Sequence, residues 1–165
     1  MTDRRMSIFG VGPWFVLLSG VYTAGALTLR SAAPELFSFP LPRWLTLGLG
    51  ALLLLIGVPF FVAAMVRLVR GFPQGELFTG GVYAACRHPI YGAWVVFNVP
   101  GIVLLVNTWL GLVVVLLMYA TLRLLVRAEE RNLEQLFGDT YREYRDRTPP
   151  VLPLLWRIRM TRGRS

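Results

Sequence analysis

Three observations predict an all-α, polytopic membrane protein with four transmembrane helices. Of 165 residues, 55% are hydrophobic and only 16% charged, whereas an ordinary soluble domain carries about 25% charge and 45–50% apolar residues. Mean hydropathy is +0.57. The apolar residues gather in four runs that match or approach the roughly 20 helical residues needed to cross a bilayer core about 30 Å thick. The length fits one membrane domain over 1–165.

The first span is expected at 8–29, a run without charge. Arg4 and Arg5 ahead of it resemble the start of a cleaved signal peptide. The run of 22 residues exceeds the usual apolar region of about 7–15, so it reads as a retained helix. The second span, 44–66, is also uncharged and contains Pro59. The third, 90–106, is shorter and contains Pro100. The fourth, 109–126, has Arg123 as its one charge. Asn107 and Thr108 alone join the last two spans, which predicts an antiparallel hairpin. Each proline removes a helix hydrogen bond and is expected to kink its span. Such kinks are either tolerated membrane prolines or a way to open a cavity. Trp14, Trp44, Trp109 and Trp156 fall near span ends, where amphipathic rings sit.

Helix-forming residues continue past Val126 to Phe137, and Gly138 is a natural stop. From Trp109 to Phe137 the helix is 29 residues long, or about 43 Å, so its last turns project into the cytoplasm. Asp139 or Thr140 is expected to cap a short helix carrying Tyr141 and Tyr144. The stretch with Pro149, Pro150 and Pro153 is expected to be extended. Residues 154–160 read as a segment on the membrane surface, and 161–165 as disordered. The C-terminal part, 127–165, is thus a cytoplasmic helical and extended segment.

All 17 basic residues are arginine, and nine acids leave a net charge of +8. Such a balance can signal nucleic acid, but no basic face has the polar surroundings of that footprint. The arginines belong at anionic lipid headgroups, so the expected partner is the bilayer and not nucleic acid. With four spans the termini share one side with the loop 67–89. Every arginine except Arg30 and Arg43 falls there, which predicts cytoplasmic termini in an integral membrane protein (of the inner membrane, in a bacterial cell). Cys86 and His88 are the sole cysteine and histidine, so neither an intrachain disulfide nor a zinc site of three or four such ligands is possible.

The glycine-rich loop ends in Arg87-His88-Pro89 at the start of span three. Pro89 suits a first helical position, and the free amides of that turn attract anions. Arg87 adds a forked cation and His88 a further donor, so a pocket for a carboxylate or phosphate is one expectation. Plain headgroup contacts are the other. On the fourth helix Leu122, Val126, Glu129, Leu133 and Phe137 share a face. An acid on that face near the membrane needs a partner. Local pairs Arg127–Glu130 and Arg131–Glu134 at i,i+3 account for Glu130 and leave Glu129 unexplained. Glu129 is therefore the sharper functional candidate.

Taken together, Gly81-Val82-Tyr83, Arg87-His88-Pro89-Ile90-Tyr91, Glu129-Glu130, Leu133, Phe137-Gly138, Tyr141, Tyr144 and Pro153 resemble the integral-membrane methyltransferases of the isoprenylcysteine carboxyl methyltransferase and phospholipid methyltransferase superfamily. The resemblance covers about residues 76–153. The chain departs from the family pattern at Gly92, which directly follows Tyr91, and at Ala93, which takes the usual glycine place. The resemblance implies S-adenosylmethionine as methyl donor. It also implies that Gly81, Tyr83, Arg87, His88, Tyr91, Glu129 and Glu130 hold the cofactor, and that a lipophilic acceptor (carboxylate, amine or thiol) arrives from the bilayer. In-line transfer from a sulfonium mainly needs alignment and exclusion of water, so no catalytic base is assigned. A nicotinamide-dependent membrane reductase and a non-enzymatic small membrane protein stand as the alternatives.

Overall fold

A computed structural model describes residues 12–71 and 77–151. The expected surface segment 154–160, the terminal residues 161–165, Arg4 and Arg5, Pro153 and Trp156 lie outside the described residues. The described chain is helical, with α1 at Gly12–Ala32 and α2 at Arg43–Gly71. The short α3, Val82–Ala85, is followed by α4 at Pro89–Ala93, a π turn at Trp94–Asn98, and α5 at Val99–Val106. Helix α6 covers Leu110–Phe137 and α7 covers Asp139–Arg147. Among the described residues, four segments are long and apolar enough to cross a membrane: α1, α2, Pro89–Val106 taken as one unit, and α6. This is an integral membrane protein.

The two prolines have different consequences. Helix α2 runs through Pro59 as one element. Pro100 sits at the start of α5, directly after the π turn. A proline ring crowds the carbonyl four residues back, here Val96. The wider π turn encloses that carbonyl, an arrangement that often marks functional sites. Its last residue, Asn98, is buried against Gly57, and its Oδ1 has no hydrogen-bond partner.

Helix α2 packs on α4, the π turn and α5, while α1 packs on α6. A β-carbon on Gly50 would lie 2.8 Å from the Gly101 carbonyl oxygen, so only glycine permits this backbone approach. Such small-residue contacts are how helices associate in lipid, where burial of apolar area provides no drive. Asn107 takes a left-handed conformation (φ 60°, ψ 54°) at the end of α5, and Gly111 of α6 then faces Val103. Arg30 Nη1 donates to the Asn107 carbonyl at 2.7 Å and Arg43 Nη2 to that of Leu105 at 2.7 Å. Both cations meet the carbonyl end of a helix, where the macrodipole favours them.

Phe15, Val95, Val114, Met118, Leu122, Val126 and Val151 form the core. Gly138 ends α6 with φ 55°, its N–H reaching the Glu134 carbonyl at 2.9 Å, and it also precedes α7. The expected cap at Asp139 or Thr140 is corrected here. Asp139 is the first helical residue, no side chain caps α7, and one positive-φ glycine serves both helix ends.

Candidate functional site

Extended residues 148–151 return across the start of α4. The Arg87 N–H donates to the Pro149 carbonyl at 2.9 Å and the His88 N–H to that of Pro150 at 3.0 Å. Prolines lack the N–H but keep the acceptor, so a proline strap suits a face that offers donors. Gly92 lies close under this strap: a β-carbon there would lie 3.1 Å from the Val151 carbonyl oxygen and press on it. That contact gives a physical role to the glycine that departs from the family pattern, while Ala93 beside it is fully buried.

Arg87 clasps the arrangement. Its Nε donates to Glu130 Oε1 at 2.9 Å and its Nη2 to the same oxygen at 2.5 Å. Its Nη1 reaches the carbonyls of Arg145 and Thr148, both at 2.7 Å. These four hydrogen bonds engage four of the five N–H donors that a guanidinium carries. The sequence suggested Arg87 as a forked cation for an anionic ligand; in the structure protein acceptors take four of its donors, and the side chain also lines the cavity beside the clasp. The expected local ion pairs are corrected. Glu130 pairs with Arg87 across 43 residues, and Glu134 binds Arg142 and Arg145 at 2.7 Å each. The tight turn at Gly138 brings α7 back along α6, so Glu134 meets arginines of the next helix rather than those one turn away.

Beside this clasp opens a cavity of about 1920 Å³. At one end it is lined by Tyr83, Arg87, His88, Glu129 and Tyr141, and elsewhere by apolar side chains of α1 and α2 such as Phe15, Val16, Phe61 and Met65. Glu129 continues the face of the buried Leu122 and Val126 and lines the cavity. At this polar end three buried atoms of the cavity wall have no partner among the described residues: His88 Nε2, Glu129 Oε2 and Tyr141 Oη. His88 Nε2 approaches Glu130 Oε1 only to 3.4 Å, too far and too poorly aligned for a sound hydrogen bond. Uncompensated buried polar atoms each cost about 1–3 kcal/mol, and three on one wall mark a place for a polar ligand.

Of the residues singled out from sequence, Tyr83, Arg87, His88, Tyr91 and Glu129 line the cavity. Glu130 stands behind them as the partner of Arg87. Gly81 lies off the wall and enters α3 with φ 64°, a conformation that favours glycine. Tyr144 donates to the Tyr83 carbonyl at 2.6 Å and so fixes the loop. Burial, aided by the charge of Glu129, pushes the Tyr83 hydroxyl up to about 12, and burial likewise raises Tyr141. Both remain protonated donors at neutral pH. Sequence reasoning missed the contribution of α1, whose Phe15 packs edge-on against Tyr91 at 5.3 Å.

The model of the isoprenylcysteine carboxyl methyltransferase family matches residues 50–135. The protein-S-isoprenylcysteine O-methyltransferase of Mus musculus is 38% identical over 79 residues, 48% of this chain and 28% of that protein. The Schizosaccharomyces pombe enzyme of the same name is 33% identical over 79 residues, 48% of this chain and 34% of its own. A probable protein-S-isoprenylcysteine O-methyltransferase of Oryza sativa is 28% identical over 138 residues, 78% of this chain and 70% of its own. The chain thus spans about a quarter to a third of the mouse and yeast relatives. No solved structure matches it. The family match takes in α2 from Gly50, the Arg87-His88-Pro89 corner and Glu129 and Glu130 of α6, and by it the chain belongs to the isoprenylcysteine carboxyl methyltransferase family.

Proposed function

We propose that this protein transfers a methyl group from S-adenosylmethionine to a lipophilic acceptor within the membrane, and that the acceptor group is a carboxylate, as in the relatives' isoprenylcysteine substrates. The observation that carries this reading is the set of three unpartnered polar atoms at one end of a cavity that is otherwise apolar. Their chemistry fits the donor molecule. Glu129 offers an acceptor for an ammonium or for ribose hydroxyls, and Tyr141 and His88 offer hydrogen bonds to a carboxylate. Tyr83 and Tyr91 add aromatic wall. Glu130 and Arg87 keep the wall in place, and Gly81 sets the entry to α3.

When bound, S-adenosylmethionine supplies a methyl group already activated by the positive charge on its sulfur. Transfer to a carboxylate forms one O–C bond, breaks one S–C bond and releases no proton. This chain therefore needs no general base, and its contribution is to hold both partners at about 3–3.5 Å and to exclude water. The asymmetry of arginines supports a polar cavity mouth and both termini on the cytoplasmic side.

The test is incubation of membranes containing the protein with methyl-labelled S-adenosylmethionine and an S-farnesylated N-acetylcysteine. The expected product is a lipid-extractable label that mild alkali releases as methanol, the signature of an ester. An alkali-stable label contradicts a carboxylate acceptor, and no label transfer contradicts the reaction.

A further inference from the structure

A polar side chain inside a bilayer needs a partner, because hydrocarbon offers none. Helix α1 carries hydroxyls along its length, and all but one are engaged. Thr23 Oγ1 donates to the Ser19 carbonyl at 2.8 Å, Thr28 Oγ1 to that of Ala24 at 2.9 Å and Ser31 Oγ to that of Thr28 at 2.8 Å. Such bonds to the preceding turn are how serine and threonine satisfy themselves inside a helix. The Tyr22 hydroxyl pairs with Thr121 Oγ1 of α6 at 3.0 Å. Ser19 is the exception: it is 8% exposed, and its hydroxyl has no partner among the described residues.

Ser19 also lines the cavity, one turn below Phe15. Phe15 packs on Tyr91, whose ring centre is 6.1 Å from that of His88. Helices α1 and α6 run antiparallel, since Tyr22 meets Thr121 while Arg30 meets Asn107 just ahead of α6. Measured from the Tyr22–Thr121 contact at 1.5 Å per residue, Ser19 stands about 4 Å and Glu129 about 12 Å toward the polar end. An acceptor aligned for transfer, its reacting oxygen about 3–3.5 Å from the methyl group, has its head between these two levels and within reach of the Ser19 hydroxyl. A carboxylate drawn into this part of the cavity needs a donor, since an unpaired buried charge is costly. Four donors of Arg87 are held by protein acceptors, and Glu129 carries charge of the wrong sign. The unpaired hydroxyl of Ser19 supplies what is missing.

Resting on the proposed reaction, we infer that Ser19 recognises the acid group of the acceptor: its hydroxyl donates to one carboxylate oxygen and leaves the other free to take the methyl group. A hydrogen bond to a charged acceptor is about twice as strong as one to a neutral acceptor. Ser19 therefore favours acids over the uncharged lipids that share the bilayer. Methylation removes the charge, so the ester is held less tightly than the acid and leaves.

The experiment measures equilibrium binding to the full chain in nanodiscs, with S-adenosylhomocysteine present. The two probes are N-acetyl-S-farnesylcysteine and N-acetyl-S-farnesylcysteamine, which differ only in the carboxylate. Ser19→Ala removes an unpaired hydroxyl and introduces the best helix former, so the variant folds. The unaltered protein is expected to prefer the acid about tenfold or more, and Ser19→Ala to lose that preference while binding the cysteamine and S-adenosylhomocysteine as before. Thr23→Ala, one turn deeper and with its hydroxyl engaged by its own helix, should keep the preference. In methyl transfer, Ser19→Ala should raise KM for the acid about tenfold. No preference in the unaltered protein, a preference retained in Ser19→Ala, or an equal loss in Thr23→Ala overturns the assignment. Preference for the acid that depends on Ser19 without methyl transfer refutes the reaction and keeps the recognition. Methyl transfer with KM unchanged in Ser19→Ala does the reverse.

Discussion

Glu129 and Glu130 are neighbours in sequence with opposite duties. On a helix they point about 100° apart, so one is turned to Arg87 and the other to the cavity. Removing one member of a buried ion pair leaves the other charge stranded, at about 3–5 kcal/mol. Glu130→Gln is therefore expected to lower the unfolding midpoint in detergent markedly, with Arg87→Met doing the same. Glu129→Gln should leave stability nearly unchanged and weaken S-adenosylhomocysteine binding tenfold or more, equivalent to about 1.4 kcal/mol. Glu134→Gln, whose carboxylate serves α7, should leave that affinity alone. The divergence of the two acids was legible in the helical period, which set Glu129 on the apolar stripe. The true partner of Glu130 was not, because an arginine 43 residues away competes with local ones and only the fold decides.

Cys86 supplies a further residue-scale prediction. Burial pushes its thiol from 9.0 up to about 11. A raised acid pKa favours the protonated thiol in the folded state. Its contribution to stability is complete below about 9.0 and fades as pH climbs toward about 11. Since the thiolate is the nucleophile, maleimide labelling at pH 7.5 should be negligible in the folded protein and become rapid on unfolding.

Among the elements, α6 was the most readable. Its stripe, its length beyond the bilayer and its stop at Gly138 all follow from 3.6-residue spacing and from glycine chemistry. The π turn at Trp94–Asn98 was not readable, since a one-residue widening leaves no trace in an apolar run. Helix α1 was also silent: faces toward lipid and faces toward an apolar groove use the same residues, so no periodic contrast separates them. At α2 and α5 the glycine contacts have a cost that can be checked. A methyl added at Gly50 would press on the Gly101 carbonyl, and such overpacking costs about 1–3 kcal/mol. Gly50→Ala should lower the thermal midpoint, whereas Gly48→Ala, with nothing within 4 Å of the new carbon, should not.

For the whole molecule, the four spans and the arginine asymmetry were legible in the sequence, while the packing of α1 on α6 and of α2 on α5 required coordinates. The strap of residues 148–151, the clasp of Arg87 and the acid of α6 converge from three distant parts of the chain to enclose a polar pocket next to an apolar groove. The account stands on that enclosure holding one nucleoside-sized ligand. Thermal unfolding of the detergent-purified protein with added S-adenosylhomocysteine tests it most directly. At 100 times its Kd the ligand should stabilise the protein by about 2.7 kcal/mol, NADPH should not, and Glu129→Gln should lose most of the effect. No stabilisation of the folded protein, or an undiminished one in Glu129→Gln, would contradict the account.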